Sequence, residues 1–231
     1  MVSVRTLTRV RPAARPVGPA VADLAPALGL DRGDRSVACC VEVRPGPWEV
    51  GAVATEARHL LLLVEGTLLR SVRIGVREGA ELLGPGDPLC LEPDDNPAFR
   101  TTLRAMTPCR IAVLDERVLS AAAARPALCA ALFAAVSRRT AAIAGQVAIT
   151  QHTSIDERLR LLLPALAARW GVVTPDGVVL PAFLTHAVLA ALIGVRRPSL
   201  TAALGGLVES ALLVRLPDRR WRVAHEIGVL G

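Results

Sequence analysis

The chain has 231 residues, a net charge of +6 and 52% apolar residues, yet only 3% aromatics and no tyrosine, so alanine, leucine and valine must fill its cores. That length suffices for two modest domains. The five cysteines (Cys39, Cys40, Cys90, Cys109, Cys129) are odd in number and irregularly spaced, which excludes a disulfide scaffold and fits a reducing cytoplasm. No run of about 18 uncharged apolar residues occurs, which argues against a membrane-spanning helix and a membrane partner. All 27 basic residues are arginine, and they are spread along the chain. Such an excess is compatible with nucleic acid or another anionic surface.

In chain order, residues 1–20 are rich in proline and arginine and read as a flexible N-terminal segment. They lack the compact apolar core and cleavage site of a signal peptide. Residues 21–30 are expected to form a short helix. From about residue 37 to 115 the texture is β. Short apolar runs (Val37–Val43, Val50–Ala54, Leu60–Val64, Thr67–Val72, Ala80–Leu83, Pro88–Leu91, Thr101–Ala105, Arg110–Leu114) are separated by glycine, proline and acidic turns, among them Gly84-Pro85-Gly86-Asp87. Many short strands at near-regular spacing predict a sandwich or barrel-like roll over residues 21–115.

The texture then turns helical. Glu116–Ala124 is a short helix, Arg125-Pro126 restarts the chain, and the pattern continues to about Gln151. Leu128, Leu132, Ala135, Val136, Ile143, Val147 and Ile149 mark its apolar side. A helix of about 25 residues spans roughly 38 Å, too long for a small flanking domain to cover. Either the same helix of a second subunit covers it, in a homodimer through residues 126–151, or it packs lengthwise on its own β domain. Ser154 and Glu157 form a capping box for a helix over Ile155–Trp170, kinked by Pro164 and ended by Gly171. Val178–Leu180 reads as a strand.

Residues 184–204 read as a helix-turn-helix. Ala190 is small enough for a close helix crossing, and Gly194 supplies the left-handed backbone of the turn. Leu200 returns to the core, and Pro198 suits the first turn of the second helix. That helix carries Arg196, Arg197, Ser199 and Thr201 at its N-terminal end, the end that enters a DNA major groove in such motifs. Leu212–Leu216, the turn Pro217–Arg220 and Trp221–Ala224 then read as a basic hairpin. A helix-turn-helix followed by a hairpin is a winged helix. Its Arg219, Arg220 and Arg222 either meet phosphates or form a solvated turn. DNA sites with two-fold symmetry favour the homodimer reading of the long helix.

The order of β roll, long helix and winged helix-turn-helix resembles the Crp/Fnr family of transcription regulators. The likeness lies in Ser154–Leu163 as hinge and first helix of the DNA domain, in Leu180-Pro181 and Leu184-Thr185-His186 as the lead-in, in Ala190–Leu204, and in Gly206–Leu213 as the end of the recognition helix. It is strong over residues 154–224, moderate over 116–153 and thin over 37–115, where Leu83–Asp87 and Leu114-Asp115 carry it. The resemblance implies an α+β chain with a cyclic-nucleotide-binding-like roll (21–115), dimerisation helices (116–153) and a DNA-binding domain (154–231). It implies a cytoplasmic regulator with double-stranded DNA and RNA polymerase as partners. It also adds Thr185 and His186 to the DNA-binding set.

Arg197 falls where the family has a guanine-reading arginine. Pro198 stands where a cytosine-reading glutamate is usual, and Ala202 replaces a further arginine, so the base code is altered. The effector site departs further. Gly86-Asp87 is followed by Pro88–Glu92 with no Gly-Glu pair. Arg100-Thr101 mimics the family's phosphate-holding pair but is shifted by one or two residues. Ile143-Ala144 stands where a polar pair would contact adenine. The pocket (Gly86, Asp87, Arg100, Thr101) is therefore expected to be degenerate and not to bind cyclic AMP in the usual way. Neither the cysteines nor His59, His152, His186 and His225 have cluster or haem spacing, and no cofactor is expected.

Two readings from other classes compete with this one. An enzyme built on a cupin-like roll would need clustered His and Glu ligands, and residues 37–115 offer only His59. No Ser/His/Asp set, phosphate-cradling glycine loop or paired-carboxylate site stands out. A protein-binding module whose winged helix makes protein contacts would leave Arg196 and Arg197 costly on a dry interface.

Overall fold

The computed structural model describes residues 20–24, 37–49, 60–90, 99–114 and 116–224. The strand expected at Val50–Ala54, the histidines His59 and His225, and most of the N-terminal segment lie outside them.

The β texture resolves into two antiparallel sheets. In the first, β1 (Ala20–Asp23), β2 (Val37–Val43), β4 (Leu60–Glu65), β7 (Pro88–Cys90) and β9 (Cys109–Leu114) run in the order β1-β2-β9-β4-β7. In the second, β3 (Gly46–Trp48), β5 (Leu68–Ile74), β6 (Arg77–Leu83) and β8 (Phe99–Ala105) run in the order β3-β8-β5-β6. Strand side chains alternate between faces, and here both faces are covered. Leu61, Leu63, Leu68, Leu83, Leu103 and Ile111 point between the sheets and form one core with Trp48. Leu62, Ala112 and Leu114 point the other way, onto Ala122, Leu128 and Ala135 of the helices that follow. The unbroken run Leu60-Leu61-Leu62-Leu63 is thus a strand buried on both sides.

Ala20–Asp23 corrects an expectation. It is an edge strand, with Ala20 opposite Cys40 and Asp23 opposite Val37, and not the start of a helix. Pairing with the open edge of β2 satisfies its backbone groups, which local helix propensity cannot outweigh over so few residues. β3 was also unforeseen, since three residues carry no legible period.

Helix α1 (Glu116–Ala123) leads into α2 (Pro126–Gln151), with Pro126 in its first turn. By length and composition alone α2 is long and apolar enough to cross a membrane, although Arg138 and Arg139 interrupt its apolar run. Its Arg139, however, is buried against β6, where the guanidinium pairs with Glu81. Glu81 is held on its other side by Arg70, its cross-strand neighbour, at 3.4 Å. Burial lowers the Arg139 pKa, and the carboxylates of Glu81 and Asp87 act against that.

Helix α3 (Ile155–Trp170) starts at Ser154, whose hydroxyl accepts from the Glu157 N–H at 3.4 Å. It buries Leu159, Leu162, Leu163 and Leu166, one helical face. Next come β10 (Val172–Thr174), β11 (Gly177–Val179), α4 (His186–Leu192), α5 (Arg197–Glu209), β12 (Leu213–Arg215) and β13 (Trp221–Val223). The four strands form a sheet in the order β10-β11-β13-β12. The core of this part includes Leu189, Leu200, Leu204, Trp221 and Val223, together with Leu69, Ala80 and Leu82 from the outer face of β5–β6. The C-terminal elements therefore pack on the second sheet of the roll.

Candidate nucleic-acid interface

α4 and α5 are bent by 100° across residues 193–196. Gly194 has φ +67°, the left-handed conformation that costs an L residue about 1–2 kcal/mol. The turn closes through the Val195 N–H, which donates to the Ala190 carbonyl at 3.0 Å. Ala190 and Leu200 are both buried, as the sequence implied.

This crossing leaves the N-terminal turn of α5 open. Arg196, at the cap position, and Arg197, Ser199 and Thr201 are all exposed. Among the described residues neither Arg196 nor Arg197 forms an ion pair. Thr185 caps α4, its hydroxyl accepting from the Val188 N–H at 3.4 Å. His186 begins α4 and meets Thr201, Nδ1 to Oγ1, at 3.2 Å.

The β12–β13 hairpin stands beside them. Its turn holds Arg219 at φ +66°, exposed at the tip and without an ion pair among the described residues. Arg220 is held by Asp218, whose carboxylate accepts from the Arg220 N–H at 3.0 Å and from Nε at 2.7 Å. Those bonds hold the Asp218 pKa below the usual carboxylate range. Arg222 pairs with Asp176 at 2.9 Å. Of the three hairpin arginines expected to face phosphates, one is thus uncommitted and two are paired.

Arg215 belongs to the same surface and was missed. It lies opposite Trp221 in the ladder, with its guanidinium 4.3 Å from the indole centroid. Strand alternation gave no signal for it, since period two places Arg215 on the same face as the buried Leu213, at the exposed end of the strand. Trp221 also stacks on His186, with ring centroids 5.6 Å apart and 20° between the planes.

The four residues proposed for an effector are not brought together. Asp87 follows β6, beside the end where Leu68 faces both Leu83 and Ala105. Arg100 and Thr101 are exposed at the far end of the same ladder, opposite Arg73 and Val72. Seven strand residues, about 20 Å, separate the two ends. Gly86 donates its N–H to the Leu63 carbonyl at 2.8 Å. Cys109 is buried and donates to the Thr67 carbonyl at 3.3 Å, with burial pushing its thiol pKa up. Among the described residues no three His, Cys, Asp or Glu side chains gather as a metal site.

No family model matches the sequence, and no curated protein matches it. Solved structures do. A CooA mutant from Carboxydothermus hydrogenoformans has a TM-score of 0.66 at 17% identity, over 90% of this chain and 93% of that one. A cyclic nucleotide-binding domain containing protein from Listeria monocytogenes EGD-e has a TM-score of 0.66 at 17% identity, over 80% and 88%. A CRP-family transcriptional regulator from Thermus thermophilus has a TM-score of 0.58 at 21% identity, over 79% and 91%. The chain has the fold of the Crp/Fnr-type regulators.

Proposed function

We propose that this chain is a sequence-specific DNA-binding transcription regulator, acting as a homodimer and not as an enzyme. The observation that carries the reading is the open N-terminal turn of α5, where Arg196 and Arg197 stand exposed beside Ser199 and Thr201 in a chain of Crp/Fnr fold. On this reading α4 and α5 are a helix-turn-helix, the β12–β13 hairpin is its wing, and residues 154–231 are the DNA-binding domain. Arg197 reads guanine through two parallel hydrogen bonds. Arg215 and Arg219 supply phosphate contacts. RNA polymerase is the further partner, and the cytoplasm is the compartment.

Residues 116–153 are the dimerisation segment. Cys129, Phe133, Val136, Thr140, Ile143, Val147 and Thr150 follow one another at alternating steps of four and three, the spacing of a coiled-coil seam. Phe133 is 74% exposed and Val147 53%, so the chain itself leaves the seam uncovered. Thr140 and Thr150 turn their hydroxyls onto the Val136 and Val147 carbonyls, which lowers the cost of burying them.

The roll (21–115) is a degenerate effector domain. Arg70 and Glu81 share the strand face of Leu68 and Leu83, which points between the sheets, and Arg139 reaches them from α2. The protein's own ion cluster stands there, while Asp87 and Arg100 lie apart. Cyclic AMP is therefore not held in the family's usual way.

Substituting Arg197 with Ala tests the reading. Affinity for a specific duplex should fall by about 1–3 kcal/mol while non-specific binding changes little. Equal specific affinity in both proteins would favour a winged helix that contacts protein.

A further inference from the structure

His186 occupies the centre of a file of side chains drawn from four elements. Arg215 of β12 lies on one face of Trp221, 4.3 Å from the ring centroid. Trp221 of β13 stacks on the imidazole of His186, from α4. The His186 Nδ1 stands 3.2 Å from the Thr201 hydroxyl of α5. Thr201 in turn donates to the Arg197 carbonyl at 3.0 Å.

This geometry fixes the tautomer. The Thr201 hydrogen is committed to the Arg197 carbonyl, so its oxygen accepts from His186, and Nδ1 carries the hydrogen. Nε2 is left as the nitrogen that titrates. The charged groups bearing on the ring are Arg197 from α5 and Arg215 from β12, both cations, and among the described residues His186 pairs with no carboxylate. Burial first, then Arg215 and Arg197, lowers its pKa in the free protein. The imidazole and two guanidinium groups thus bear on one surface, a set of groups that suits an anion.

We propose that His186 takes up a proton when the protein binds duplex DNA. Nε2–H then donates to a backbone phosphate while Nδ1–H keeps Thr201 in place beside the bases. The proposal rests on the DNA-binding reading and adds to it that His186 is a positioning residue whose contact depends on pH. The arginines stay charged throughout, so their phosphate contacts do not change with pH. The neutral ring offers the phosphate a lone pair, and the protonated ring offers a hydrogen bond and a charge. Linkage then requires affinity to rise as pH falls, by up to tenfold per pH unit between the free and DNA-bound pKa values of His186.

The test is a fluorescence anisotropy titration of the full chain with a labelled mixed-sequence duplex, between about pH 6 and pH 8 at fixed ionic strength. A non-specific duplex serves because the phosphate contact is independent of sequence. The unsubstituted chain should bind several-fold more tightly at the acid end, and His186→Gln should bind with no pH trend. A second measurement follows the His186 ring C–H resonances by NMR, where DNA should move the titration midpoint upward. It needs only the unsubstituted chain and so decides the matter even if the variant folds poorly. An affinity independent of pH, a trend kept by His186→Gln, or a midpoint unmoved by DNA would overturn the proposal while leaving DNA binding intact. No binding at any pH would overturn the DNA-binding reading and this inference with it.

Discussion

The Asp87 carboxylate accepts a hydrogen bond from the Arg169 guanidinium at 2.5 Å, joining the turn after β6 to the end of α3 across 82 residues of sequence. The same carboxylate oxygen accepts from the Gly84 N–H at 2.8 Å. Gly84 has no Cβ, which would stand 3.3 Å from Arg169 and 3.4 Å from the Trp170 indole nitrogen. Arg169 also lies 4.7 Å from the Trp170 ring centroid. The Gly-Asp turn that resembles part of a nucleotide pocket thus serves here to seat the C-terminal helices on the roll.

Replacing Asp87 with Asn removes the charge while keeping the shape. Asp87 is only 7% exposed, so the lost charge-assisted bond should cost about 1–3 kcal/mol in a urea unfolding titration. An unchanged unfolding midpoint would mean that the turn does not hold α3.

Arg139→Ala leaves the half-buried Glu81 with Arg70 as its remaining partner. Glu81 keeps one cation and some contact with solvent, so losing the second charge-assisted bond should cost about 1.5–3 kcal/mol by the same titration. Arg138→Ala, one residue earlier and exposed, is the control and should change stability little.

Phe133→Glu places a charge in the α2 seam without touching the chain's own core. Sedimentation should show the mass halved and circular dichroism should show the helical content kept. A dimer of unchanged stability would remove the seam from the account.

The His186 pKa is depressed, first by burial and then by Arg215 and Arg197. The unfolded chain therefore binds more protons at that position. The contribution to stability is thus fully present above the ordinary histidine pKa near 6.5 and is lost as pH falls from there through the lower pKa of the folded protein. The free protein should be less stable in mild acid than at neutral pH, and His186→Gln should flatten that part of the profile. DNA should reverse the trend, since a phosphate favours the charged ring.

The parts legible in the sequence are those where a local pattern meets a local cause. Gly194 and Ala190 announced the crossing of α4 and α5, Pro126 the start of α2, and Ser154 the cap of α3. The all-leucine run of β4 showed a strand, though which helix covered its second face was beyond the pattern. Ala20–Asp23 was misread because its partner strand begins fourteen residues later at Val37 and gives it no period of its own. The ion pairs were hidden for the same reason. Asp87 finds Arg169, and Glu81 finds Arg139, only after the sheets and helices have packed. Arg215 was not readable from strand alternation, which puts it on the face of the buried Leu213, and its place beside His186 depends on the stack with Trp221. The Arg100-Thr101 pair looked like a phosphate clamp in sequence, and the register of β5 with β8 carries it to the far end of the ladder.

The most direct measurement is a titration of the purified protein against DNA from its own upstream region, under excess competitor DNA, with and without cyclic AMP. Tight, competitor-resistant binding that ignores the nucleotide is the predicted result. Binding that appears only with cyclic AMP would contradict the degenerate pocket, and failure to bind under either condition would contradict the regulator itself.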